Sequence, residues 1–151
     1  MPAPGTVQIQ GQLPKRYTMW QDEVLVTVGN AGVLTFSGNT AHGLDWLQTP
    51  PADGDTFTTG FYSDAGAIVF STMGAVGTNR GKVDWYFDGL VVSAGQDWYA
   101  GSETYMTIKT FSVTLVRGGW VTVKCVVNGK NGSSSDYYTR FVKHWVRRAT
   151  D

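Results

Sequence analysis

The sequence predicts an all-β protein, an antiparallel β-sandwich of jelly-roll type. Three observations carry that prediction. Nineteen Gly, seven Tyr, seven Phe and six Trp in 151 residues make a composition of strands and turns. No segment keeps a helical apolar period over three turns, whereas residues 79–89 alternate with period two. Turn formers recur between short apolar runs along the chain, the spacing expected of a sandwich or jelly roll.

The elements come in this order. Residues 1–20 read as an N-terminal strand or an extended arm lying on a neighbour, since domain termini are often loosely tied. Residues 21–151 read as a single sandwich domain, a length that buries a core without a disulfide. Strands are expected near Val7–Gln10, Val24–Val28, Val33–Phe36, Gly43–Leu47, Thr56–Tyr62 and Ala67–Met73. More are expected at Lys82–Phe87, Leu90–Ser93, Tyr105–Val116, Trp120–Val127 and Tyr137–Val146. Gly29-Asn30, Ser37-Gly38-Asn39, Pro50-Pro51-Ala52-Asp53-Gly54, Gly77-Thr78-Asn79, Asp88-Gly89 and Gly118-Gly119 are the turn signals between them.

In the strand Lys82–Phe87, Val83, Trp85 and Phe87 share one face, and Asp84, Tyr86 and Asp88 the other. Asp88-Gly89 supplies the pair of positive φ angles that a type I′ hairpin turn needs. Cys125 alternates with Val121, Val123 and Val127, which makes it a small core residue. In Tyr105–Val116, Met106 and Ile108 have one parity while Phe111, Val113 and Leu115 have the other. A β-bulge near Lys109-Thr110 would bring both sets to one buried face. Asn128–Ser135 reads as a flexible hairpin loop.

Catalytic constellations are hard to assemble. There is no Gly-x-Ser-x-Gly elbow for a nucleophile. His42 has only Asp45 close by, and His144 lies between Lys143 and Trp145 on the last strand, as a surface or interface residue would. Asp84 and Asp88 are four residues apart on one strand face, roughly 13 Å, too far for either glycosidase geometry. Asp53 and Asp55 with Asp64 form a weak calcium candidate that lacks the ligand series of a dedicated loop. The expectation is therefore no catalytic residue, no metal and no cofactor. Exposed aromatic residues are the remaining lead, because sugar rings lay their C–H faces on them. Trp46, Trp98, Tyr99, Tyr137 and Tyr138 are the candidate glycan contacts.

Net charge is zero, but residues 1–75 carry two basic and six acidic groups, and residues 76–151 carry ten basic and six acidic. The basic residues alternate with strand residues, so nucleic acid is not expected as a partner, and no apolar run reaches eighteen residues, so membrane insertion is not expected. Copies of such a chain could cover one another's sheet edges. A homo-oligomer, a trimer first, is expected, with Lys143, His144, Trp145, Arg147 and Arg148 near the subunit contact.

One run of residues carries a resemblance. Arg80-Gly81-Lys82-Val83 opens a strand, and Asp88-Gly89 turns it. Gly119-Trp120, a Gly129-Lys130-Asn131 loop with Ser133-Ser134-Ser135, and Tyr137-Tyr138 come next. This order resembles a carbohydrate-binding-module-like β-sandwich, of the kind appended to secreted glycosidases and found in bacteriophage tail and virion-surface proteins. The resemblance implies fold more than function. No signal-peptide pattern opens the chain, which suits assembly in a host cytoplasm. The expected function is a non-enzymatic virion protein on the particle surface, a small tail protein or capsid decoration protein. It would contact other virion proteins and a host-surface glycan. The alternative is a carbohydrate-binding module or adhesin for cell-surface polysaccharide.

Overall fold

The computed structural model describes the backbone of residues 16–20, 35–39 and 44–48, and residues 53–150 in full except for the Val142 side chain. Ten strands are described: β1 (Arg16–Trp20), β2 (Thr35–Asn39), β3 (Leu44–Gln48), β4 (Thr56–Ser63), β5 (Gly66–Val76), β6 (Gly81–Phe87), β7 (Leu90–Asp97), β8 (Thr104–Leu115), β9 (Gly119–Lys130) and β10 (Arg140–Arg148). They form two antiparallel sheets. One has the order β2-β3-β10-β5-β8, with β1 also beside β10, and the other the order β4-β9-β6-β7. This is the predicted sandwich. Among the described residues there is no helix, hence none long and apolar enough to cross a membrane.

The expected strands from Thr56 onward are all present, with ends moved by up to four residues. Val7–Gln10, Val24–Val28 and His42 lie outside the described residues. Ser37-Gly38-Asn39 is not a turn. It continues β2, with Ser37, Gly38 and Asn39 opposite Trp46, Asp45 and Leu44 of β3. Pairing across a ladder overrides the local turn preference.

The hairpin β6–β7 turns on Asp88 and Gly89, both at positive φ (49° and 82°), as the Asp-Gly pair requires. Asp88 also braces the turn from outside: its carboxylate accepts the Thr122 N–H at 2.9 Å and an Arg117 N–H at 3.0 Å. Val83, Trp85, Phe87, Val121, Val123, Cys125 and Val127 are all buried, so the predicted face points inward. Phe57, Phe61, Ile68, Phe70, Phe141 and Val146 complete the core from the neighbouring strands of both sheets.

β8 departs from expectation. It pairs with β5 without interruption from Gly66–Leu115 to Gly74–Thr107, so there is no bulge at Lys109-Thr110. Phe111, Val113 and Leu115 face the core, while Met106 and Ile108 face outward. The irregularity lies at the start of the strand, where Met106 has φ 59° and the register with β5 shifts beyond Gly74. Exposing two apolar side chains on an edge strand costs less than breaking a long ladder, because a half-exposed face still covers much of each side chain.

Cys125 is a core thiol. Burial, with a smaller effect from Asp84, pushes its pKa well above the ordinary thiol range. A thiolate-directed reagent is therefore expected to leave it unlabelled in native buffer and to label it fully after denaturation. Rapid labelling of native protein would show that the two sheets separate at β9.

Candidate binding site at the loop end

Three connections meet at one end of the sandwich: β5–β6, β7–β8 and β9–β10. They are tied to one another by backbone hydrogen bonds. Gly77 donates to the Trp98 carbonyl and accepts from Ala100, at 3.2 and 3.1 Å. Tyr138 donates to the Asn79 carbonyl at 3.1 Å, and Gly81 to the Tyr138 carbonyl at 2.9 Å. A side chain on Gly81 would meet the Tyr137 carbonyl oxygen at 2.9 Å, so glycine is what allows this close crossing.

The β9–β10 connection, expected to flex, is pinned here. The buried Ser134 hydroxyl lies 2.8 Å from the carbonyls of both Arg80 and Asp136 and donates to one at a time. Ser135 N–H donates to the Thr78 carbonyl at 2.9 Å, and Asn131 Nδ2 donates to Asp97 at 2.9 Å. Each bond holds a loop that the sequence alone leaves unanchored.

At the centre lies Arg80, with 1% of its surface exposed. Its Nε donates to the Ala75 carbonyl at 3.2 Å, one terminal N–H donates to Asn79 Oδ1, and the other to Glu103 Oε1 at 2.7 Å. Arg140 donates to the same Glu103 oxygen at 3.1 Å. One carboxylate thus bridges two guanidinium groups, and the cluster keeps a net positive charge. Burial, and then Arg140, push the Arg80 pKa below the usual guanidinium value, while Glu103 opposes them. With all three guanidinium nitrogens engaged, Arg80 remains a cation held rigidly in place.

The aromatic candidates sort by burial. Tyr99, Tyr137 and Tyr138 are half-buried at this end. Tyr99 sits at a bridge to Gly77, and Tyr138 at a bridge to Arg80. The Lys130 ammonium stands 4.8 Å from the centre of the Tyr137 ring. Trp98 comes to the same end but is 1% exposed, so it is no stacking surface. It packs edge-on against Phe141 at 5.2 Å. Its indole N–H and that of Trp85 both donate to Gln96 Oε1, at 3.0 and 3.1 Å. A satisfied N–H is what allows the ring to be buried. Trp46 lies on β3 of the other sheet by its backbone, and its side chain is outside the described residues.

The other candidate sets do not assemble as expected. His144 is not at a contact surface. It is 1% exposed and packs on the Phe57 and Phe70 rings, each 5.7 Å away. The reason is a register shift in β10 between Phe141 and Lys143, which inverts the alternation and turns His144 inward with Val146. Lys143 and Trp145 face the other way, with the ammonium 5.4 Å from the indole ring. Arg148 is paired with Asp64, and Arg147 donates to the Arg148 carbonyl at 3.1 Å. The calcium candidates are separated by the length of β4: Asp53 and Asp55 precede it, and Asp64 comes after it. Asp53 accepts the Gly129 N–H at 2.6 Å. Asp55 is buried with both carboxylate oxygens lacking a hydrogen-bond partner, and burial raises its pKa. Among the described residues, no three His, Cys, Asp or Glu side chains converge on a metal position.

No protein-family model and no curated protein matches the chain. Solved structures do. A xanthan lyase from Paenibacillus superposes over 99% of the chain with TM-score 0.70 and 19% identity, and the chain spans 14% of that enzyme. A family 35 carbohydrate-binding module from Paenibacillus barcinonensis superposes over 90% of this chain and all of that one, with TM-score 0.64 and 16% identity. A family 36 module of a multidomain xylanase, from the hindgut metagenome of Trinervitermes trinervoides, matches 89% of this chain and 98% of that one, with TM-score 0.59 and 18% identity. The chain has the fold of carbohydrate-binding modules. The likeness is one of fold, at identities of 16–19%.

Sequence patterns do not single out Glu103, Asp97, Asn131 or Gln96 as parts of this end, nor Arg80 as its centre. Arg80 stands in the run that carries the resemblance, but nothing in that run points to Glu103, 23 residues away.

Proposed function

We propose that the domain is a non-catalytic glycan-binding module whose loop end receives the sugar. The carrying observation is that three partly exposed tyrosines stand at the end built on the Arg80–Glu103–Arg140 cluster: Tyr138 bridges Arg80, Tyr99 bridges Gly77, and the Tyr137 ring meets Lys130. Partly exposed tyrosines offer ring edges and faces to pyranose C–H groups, and the polar side chains around them, Lys130, Asn131 and Arg140, offer hydrogen bonds to hydroxyl or carboxylate oxygens, while the buried Arg80 contributes fixed positive charge and no open donor. The pinned loops make the surface largely pre-formed, which lowers the entropic cost of binding. The solved modules that share the fold over their whole length support the same reading.

The carboxylates support binding over hydrolysis. Asp84 accepts from Gly95 N–H and Asn128, Asp88 from Thr122 and Arg117, Asp97 from Tyr99 N–H and Asn131, and Glu103 from two arginines. Each of these four has a structural task, and the unpartnered Asp55 is sealed in the interior, whereas a general acid or nucleophile needs an open position. A glycan array followed by calorimetry on the best ligand tests the proposal. Tyr99→Ala and Tyr138→Ala are each expected to weaken binding about tenfold, near 1.4 kcal/mol, with the fold retained. Unchanged affinity in both variants, or no binding across plant and bacterial polysaccharides, overturns it.

A further inference from the structure

The outer face of the four-stranded sheet holds a second aromatic surface. Trp120 of β9 lies directly over Gly60 of β4: a Cβ on Gly60 would come within 2.2 Å of Trp120 Cζ2. The missing side chain is what lets the indole lie down on the strand. Tyr62, the cross-strand partner of Trp120, meets it edge-on with ring centres 4.9 Å apart. Both remain open to solvent, Trp120 at 39% and Tyr62 at 51% exposure. Packing against Gly60 and Tyr62 covers part of the indole and leaves the rest open to solvent.

Further along β9 the same face sinks into a depression of about 440 Å³, lined by Thr58, Tyr86, Thr122 and Lys124 among others. Lys124 is four residues from Trp120, so the two lie roughly 13 Å apart along the strand, with Thr122 of the depression between them. One cation stands by the depression without an ionic partner. Lys124 is exposed and forms no ion pair among the described residues, whereas Lys82 stands across the ladder from Asp97. Asp84 takes the Gly95 N–H and the Asn128 amide, each at 2.6 Å, and Asp88 takes Arg117.

We propose that this sheet face binds a stretch of acidic polysaccharide, with one sugar ring on Trp120 and a carboxylate at Lys124. An aromatic shelf bordered by hydroxyls and an unneutralised cation matches a sugar acid better than a protein, which would call for a larger contiguous apolar patch. The chain of sugars would run along β9, with Thr122 and the Tyr86 hydroxyl within the depression as hydrogen-bonding groups. The site shares no residue with the loop end, so either can fail alone.

The test is titration of polygalacturonate, and of its neutral methyl ester, into wild type, Trp120→Ala, Lys124→Gln and Tyr138→Ala. Polygalacturonate is expected to bind wild type, more weakly at high salt, and the methyl ester less tightly. Trp120→Ala and Lys124→Gln are each expected to lose about tenfold in affinity. Tyr138→Ala is expected to bind as wild type does. Lys124→Gln removes no packing, so it decides the matter even if Trp120→Ala unfolds. No binding of polygalacturonate to wild type, or equal binding by Lys124→Gln, overturns the proposal. Loss of polygalacturonate binding in Tyr138→Ala would overturn it too, by assigning the polymer to the loop end.

Discussion

Replacing Trp85 with alanine is expected to destabilise the domain by about 3–5 kcal/mol. Trp85 has no exposed surface and stands where the two sheets meet. Phe70, His144, Phe141 and Phe57 surround it, with ring centres 5.2, 5.3, 5.7 and 5.9 Å away. These rings come from β4, β5 and β10, all held in ladders, so they cannot close over the space an alanine leaves. The variant also removes one of the two N–H groups that Gln96 accepts, but Trp98 keeps Gln96 Oε1 bonded. The loss is therefore mainly cavity and transfer energy. Urea unfolding followed by circular dichroism measures it. A change below about 1 kcal/mol would mean that the core relaxes around position 85 in a way the interlocked rings do not allow.

The second large effect is acid sensitivity arising from His144. Burial lowers its pKa from 6.5 to about 3. The folded protein thus holds a neutral imidazole while the unfolded chain takes up a proton below about pH 6.5. Between those values the unfolded state binds more protons, so stability falls as pH falls through that window. The full shift corresponds to at most roughly 5 kcal/mol, reached near pH 3. Asp55 acts in the opposite sense: its raised pKa favours the protonated folded state, so its contribution fades as pH rises. Comparing wild type with His144→Phe isolates the histidine. The variant is expected to show a flatter stability profile between pH 6.5 and 4, because a phenyl ring stacks between Phe57 and Phe70 without a proton to gain. Parallel profiles would mean that His144 is not held neutral in the core.

His144 also shows where reading by alternation stops. From Phe141 a strict period of two points Lys143 and Trp145 inward and His144 outward. One register shift after Phe141 reverses all three. A single inserted residue carries no local signature in the sequence, yet it exchanges the faces of everything beyond it. The same logic fails in the other direction for β8. A bulge there would bury Met106 and Ile108, but the strand runs on and leaves them outside.

The candidate site is legible in part. Tyr99, Tyr137 and Tyr138 stand out in the sequence as aromatic contacts, and they do gather at one end. Trp98 stands out on the same grounds but is buried, because Gln96 satisfies its indole N–H and Phe141 meets its ring. The sequence shows that a tryptophan is present but not whether a partner for its N–H waits in the interior.

The chain by itself determines the features that depend on near neighbours: the inward set Val83, Trp85 and Phe87, the matching set Val121, Val123 and Cys125, and the Asp88-Gly89 turn between β6 and β7. Period-two geometry and the φ preferences of Asp-Gly act over a few residues, so they can be read without the fold. Glu103 reaching Arg80 and Arg140, Ser134 closing over the Arg80 carbonyl, and Trp120 lying on Gly60 belong to the folded molecule. All of these join positions far apart in the chain, and their meeting depends on which strands pair and in what register. That pairing is settled by burial of both sheet faces at once, a property of the whole sandwich that no stretch of sequence holds by itself.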